Sequence, residues 1–163
     1  MKRFGANGMK TLKIFHLLFA VMWIGGVMAL VSLQLGSSPE TEQMMYAAAA
    51  DHLIVDEFFL IPGGIGIVVT ALLYGMFTGW GFFKNRWLAV KWALTILLVI
   101  IGAGYMGVTI KANAEYARNM LTEHLCADVY RANVRHVAIA GIIQIAGFIY
   151  IVAISVLKPW KKK

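Results

Sequence analysis

Four apolar runs divide the chain, at about 14–35, 53–78, 87–110 and 136–157, and polar or charged segments separate them. A bilayer core takes roughly 20 apolar residues of helix, so each run is long enough to cross, with boundaries good to a few residues. Backbone groups in lipid must be satisfied inside their own segment, which makes the runs helices. Short connections between them predict an all-α, up-down four-helix bundle, a single integral membrane domain over residues 1–163. The first run follows a basic N-terminus, as a secretory signal would. It is too long for a typical signal core and lacks a clear small-x-small cleavage site, so an uncleaved helix is expected.

Two connections are more than turns. Residues 36–51 hold GSSPE and TEQMMYAAAAD, where Ser38-Pro39-Glu40 reads as a helix start and the alanines as a lead into the second run. Residues 111–135 are rich in helix formers with no Gly or Pro, and are expected to extend the third and fourth helices beyond the membrane surface.

Composition agrees with burial in lipid. Of 163 residues, 60% are hydrophobic and 14% charged, with a mean hydropathy of +0.73. A soluble domain of this length needs more polar surface than that. The net charge of +7 raises nucleic acid as a partner, but the basic residues sit at the ends of apolar runs and form no stripe with aromatics, so no nucleic-acid partner is expected. Instead the charge orients the bundle. Lys2, Arg3, Lys10 and Lys13 precede the first run, Lys84 and Arg86 lie between the second and third, and Lys158 and Lys161 to Lys163 follow the fourth. The positive-inside rule puts these segments, and both termini, in the cytoplasm. All eight acidic residues fall on the other side. Cys126 is alone, which excludes an internal disulfide or a Cys-rich metal motif.

Ionisable groups at membrane depth are expensive, so each is a functional candidate. His16 lies three residues past Lys13 in KIFHLLFAVMWIGG, about 4–5 Å deeper at 1.5 Å per residue. On a helix it shares a face with Phe19, Ala20, Trp23 and Gly26. An imidazole, an aromatic wall and a small residue are what the edge of a planar haem asks of a helix; the plainer reading is a histidine bonded to a neighbouring helix, with Trp23 as packing. Lys91, in WLAVKW, reaches a similar depth five residues past Arg86. It either snorkels to the interface or turns inward to hold a carboxylate, such as a haem propionate.

On the acidic side His52 precedes Asp56 by one turn with Glu57 beside it, His136 opens the fourth run, and His124 and Asp128 form another i,i+4 pair. Imidazoles and carboxylates so spaced can share copper or zinc, and His16 itself is a candidate metal ligand. His52 with His136 could alternatively clamp a second haem. Against both stands a salt-bridge network in which Arg131 and Arg135 neutralise Asp56 and Glu57. Pro62-Gly63-Gly64 predicts a kink or a thinned backbone in the second helix. No nucleophile elbow, phosphate loop or HExxH pattern occurs, so hydrolase and NTPase chemistry has no support.

The segment LKIFHLLFAVMWIGGVMAL resembles the opening of a group of small bacterial membrane proteins, CopD-like and HemJ-like, that includes an uncharacterised DUF2269 type. These begin with an early histidine followed by W-x-G or W-x-G-G. IPGGIGIVVTALLYGMFTGWGFFKNRWLAVKWALT is similar to the group's P-G, T-G/T-A, W and W-x-x-x-K sequence through helices two and three. The resemblance implies a multi-pass protein of the bacterial inner membrane. From the HemJ-like branch it implies haem b, with His16 as ligand and Lys91 beside it, and, if the protein is an enzyme, a membrane oxidoreductase acting on a porphyrin. From the CopD-like branch it implies copper uptake. Three classes therefore stay open: a haem b protein moving electrons or handling a porphyrin or quinone with a redox partner, a copper or other metal carrier, and a non-catalytic scaffold. A homo-oligomer is compatible with all three.

Overall fold

A computed structural model describes residues 5–77, 85–123 and 125–159. The described residues are helical, without strands, and form four helices long and apolar enough to cross a membrane: α1 Ala6–Gly36, α2 Glu42–Phe77, α3 Arg86–Glu123 and α4 Ala127–Leu157. Their 31, 36, 38 and 31 residues correspond to about 46–57 Å of helix, against a hydrocarbon core of about 30 Å. The bundle is therefore longer than the membrane. The surplus lies mainly at the end away from the termini, where α2 and α3 run beyond the expected apolar runs. There Met45, Ala49, Ala117, Met120 and Tyr130 form a small core of their own.

Large apolar side chains cover the outside, among them Val21, Val156 and Leu157 at 69%, 74% and 76% exposure. Such surfaces are stable only against lipid. Inside, Trp23, Val27, Leu30, Leu60, Met106 and Phe148 are buried in one continuous core. Helix α2 starts later than the Ser38-Pro39-Glu40 pattern predicted. Thr41 is its N-cap, in extended conformation, with its Oγ1 accepting from the Met44 N–H at 3.2 Å. This satisfies one of the free donors of the first turn.

Neighbouring helices run antiparallel. Along α1 and α2, His16 meets Thr70, Trp23 meets Gly63, and Gly26 meets Leu60. Between α3 and α4 the rungs are Leu98 with Gln144 and Asn113 with Asn133. At Gly63 a Cβ would lie 2.7 Å from the backbone nitrogen of Trp23, an atom that cannot step aside. The two backbones meet at a distance only glycine permits.

Helices α2 and α3 each contain a π-helical stretch, Asp56–Leu60 and Ile100–Met106. The Ile61 N–H reaches back to the Asp56 carbonyl and the Gly107 N–H to the Gly102 carbonyl, five residues each. In α2 the cause is Pro62, which has no N–H and whose ring presses on the carbonyl four residues earlier. A wider turn just ahead of it absorbs the strain, and Ile61 keeps helical angles of φ -62 and ψ -57. The expected break is thus a π turn in a continuous helix.

Towards the termini the bundle opens. Within this half α2 packs on α1 and α3 packs on α4, while the stretches Ile61–Phe77 and Arg86–Val99 scarcely touch. Gly63→Ala should lower the thermal midpoint of the purified protein, at a cost of about 1–3 kcal/mol for overpacking. Gly25→Ala should be neutral or raise it, because no atom lies within 4 Å of a Cβ there. Detergent-solubilised unfolding curves of the two variants test the contrast, and equal midpoints would refute the close approach.

Candidate functional site

The opening between the two helix pairs is a cavity of about 500 Å³, to which all four helices contribute. Trp23 and Phe148 form one wall, edge to face with ring centroids 4.9 Å apart. Trp87 and Trp92 line it from α3, and Tyr74 from α2. His16, Lys91 and Thr95 are among the few polar groups inside, and Lys13 and Lys158 lie at the terminal rim. A large apolar cavity with a few convergent polar groups is the usual form of a small-molecule or cofactor site.

His16 is held in place by two contacts. Its ring meets Tyr74 edge to face at 5.6 Å, and its Nδ1 lies 2.8 Å from the Thr70 hydroxyl. Thr70 donates its one proton to the Gly66 carbonyl at 2.6 Å, with Ile67 O a further 3.2 Å acceptor. With that proton on the Gly66 carbonyl, the Thr70 oxygen accepts from a His16 tautomer protonated on Nδ1. The other nitrogen, Nε2, carries a lone pair and has no hydrogen bond among the described residues. A neutral imidazole oriented through one nitrogen and open at the other is the state in which histidine binds a metal. Lys91 is half-buried in the same cavity, near enough for its charge to act on the His16 ring.

Four of the sequence candidates thus have different fates. His16, Trp23 and Lys91 line one cavity. Gly26 does not: a Cβ on it would meet Leu60 and Phe59, at 2.7 and 2.8 Å, so its small size serves the packing of α1 on α2. Thr70, Tyr74 and Phe148 were not singled out by spacing. Thr70 and Tyr74 stand one turn apart on a face of α2, but only the antiparallel register brings that face to His16.

The cluster expected at the acidic end is not assembled among the described residues, where no three His, Cys, Asp or Glu side chains converge. His52 and Asp56 are buried, at 4% and 2% exposure, whereas Glu57, Asp128 and His136 are exposed. The cavity beside His52 holds about 10 Å³ and His136 does not line it. That is room for one water, far short of a second haem. His124 lies outside the described residues. Arg131 turns to Asp128 at 3.9 Å, and so does not neutralise Asp56. Burial acts most strongly on Asp56, followed by the charge of Lys111, one turn beyond Gly107 on α3.

Comparison with curated proteins and with solved structures finds no match. A family model described as a predicted integral membrane protein, DUF2269, matches residues 10–159. That span takes in all four membrane helices and the whole cavity, and the chain belongs to the DUF2269 family of predicted integral membrane proteins.

Proposed function

We propose that this protein binds one b-type haem in the cavity near its termini and serves electron transfer or porphyrin handling, with His16 as the residue that would hold its iron. The observation that carries this reading is the Gly66–Thr70–His16 chain, which leaves an unprotonated imidazole nitrogen at a cavity of about 500 Å³. The residues present fit the group. Trp23, Phe148, Trp87 and Trp92 supply aromatic walls, and Lys91, Lys13 and Lys158 supply cations for two propionates. The resemblance of the first three helices to HemJ-like proteins gives His16 and Lys91 the same roles. Copper or zinc carriage has less support, because no three of its candidate ligands converge among the described residues.

When bound, the haem supplies one-electron chemistry, with a potential set by its axial ligand and by the hydrogen bond behind it. The protein's own part is to hold and to exclude. Thr70 fixes the ring and raises the basicity of Nε2. Lys91 holds a carboxylate by charge. The core formed by Val27, Leu30 and Met106 seals the cavity from the opposite end of the bundle. Leu17 and Val156 line the cavity yet are 53% and 74% exposed, so its mouth faces lipid. A lipophilic partner such as a porphyrin or quinone would enter from the bilayer without crossing water. The positive-inside rule places this mouth in the cytoplasmic leaflet of the bacterial inner membrane.

Protein purified from haem-supplemented cells should show a Soret band that shifts on reduction. His16→Ala should lose it, and Thr70→Val should weaken haem affinity by about 10–100-fold while leaving the helix content unchanged. Absence of the band from the wild-type protein rules the reading out in favour of a scaffold or, if elemental analysis finds a stoichiometric metal, a carrier. Reporter fusions at each terminus should both report the cytoplasm; a periplasmic signal from either one reverses the orientation.

A further inference from the structure

We infer that the end of the bundle away from the termini contains a half-channel for protons, and that it finishes on the Asp56 carboxyl. This goes beyond the haem reading and does not depend on it.

The track begins at the half-buried Asn133 of α4, whose Nδ2 donates to Asn113 Oδ1 of α3 at 3.1 Å. Asn113, Gln34 of α1 and His52 of α2 then surround the small cavity of about 10 Å³. Asp56 stands one turn further along α2, about 6 Å deeper at 1.5 Å per residue. All four inner groups are buried, with Gln34 at 8%, Asn113 at 5%, His52 at 4% and Asp56 at 2% exposure. All four helices contribute a polar group to it. Beyond Asp56, Val27, Leu30 and Met106 are completely buried and close the route, and the one polar side chain buried near them, Gln144, donates to the Leu98 carbonyl. It is a half-channel with one open end.

Two oxygens on the track lack a partner. Gln34 Oε1 and Asp56 Oδ2 are buried acceptors with no hydrogen bond, and only Gln144 Oε1 joins them among the described residues. Leaving a buried polar atom unpaired is costly, so such atoms mark the place of a water or a proton. A cavity of this size, with Gln34, His52 and Asn113 around it, accommodates one water that can bond Gln34 Oε1. Asp56 itself does not line that cavity. Gly107 takes the place a side chain would fill, since a Cβ there would lie 3.6 and 3.8 Å from the two carboxylate oxygens and 3.5 Å from the Gly102 carbonyl. An ionised carboxylate so buried needs a close cation; among the described residues no ion pair reaches Asp56, and Lys111 acts on it only through its charge.

The charges acting on Asp56 are those of Lys111 from α3 and Glu57 from α2. His52 lies a turn outward and feels Asp51. From α1 the nearby polar group is the neutral Gln34, and no charged group of α4 acts on Asp56. Both π stretches converge here, with Asp56 opening the one in α2 and Gly107 directly following the one in α3. Such stretches are frequent at functional sites, because they free backbone groups inside an otherwise closed helix.

Attenuated-reflection infrared spectroscopy of the full chain in liposomes tests this. The protein has three aspartates, Asp51, Asp56 and Asp128, and the first and last are exposed. A carboxylic-acid C=O band at neutral pH that shifts with ¹³C-aspartate labelling and vanishes in Asp56→Asn is therefore expected. It should also move in D₂O, and Gln34→Leu should slow that exchange by roughly tenfold, the effect of about one lost hydrogen bond in the track. If Asp56→Asn does not fold, the isotope shift and the Gln34→Leu comparison still decide. Absence of a labelled acid band, or exchange indifferent to Gln34→Leu, overturns the inference. The band is to be read in His16→Ala as well, where its survival without haem separates this result from that of the cofactor reading.

Discussion

The close approach of α1 and α2 through Gly63 and Gly26 is the contact on which the rest of this structure depends. Lipid offers no hydrophobic drive for helices to associate, so dispersion at short range must hold them. At Gly63 the backbone of one helix touches the backbone of the other, and at Gly26 the Leu60 side chain fills the gap. Two such contacts one after another leave no freedom of register. His16 must then fall opposite Thr70, and Tyr74 one turn on must meet the imidazole edge. A slip of one residue would turn Thr70 away and leave His16 without its orienting bond.

The same tight packing produces the cavity. Helix α1 is close to α2, and α3 is tied to α4 where the Gln144 amide donates to the Leu98 carbonyl at 2.7 Å. Towards the termini the two pairs diverge, and large aromatic side chains fill only part of the gap. At the other end the pairs converge, helped by the π stretches that bring Gly107 against Asp56. One end of the bundle thus has a large, mostly apolar space, and the other has buried polar side chains with room for a water. The division follows from helix separation, which is wide where tryptophans line α3 and narrow where glycines do.

Much of the fold could be read from the residues. The four runs stand as four helices with the expected order, and the polar segment 111–135 does prolong α3 and α4. Hydrophobic length and backbone satisfaction decide both, and neither needs tertiary information. The candidate site was legible only in part. His16, Trp23 and Lys91 were visible as polar or aromatic groups at unusual depth, and they share one cavity. Gly26 packs against Leu60 and Phe59 of α2, because a helix face predicts direction but not which neighbour occupies it. The acidic-end histidines were equally visible, yet His52 turns inward and His136 outward. Spacing along one helix cannot determine the rotation of the next.

By itself, then, the sequence determined that this chain belongs in a membrane, that it carries four helices long and apolar enough to cross one, and that its acidic residues gather at one end of them. These follow from transfer energies summed over whole segments, which no packing detail can reverse. Only the tertiary structure decided which nitrogen of His16 meets a polar partner, since that partner is a threonine 54 positions away. It also decided that Asp56 is buried beside a glycine of another helix rather than exposed in a salt bridge. Hydrogen bonds and steric contacts act over a few ångströms, and residues distant in the chain come within that range only when the helices are packed.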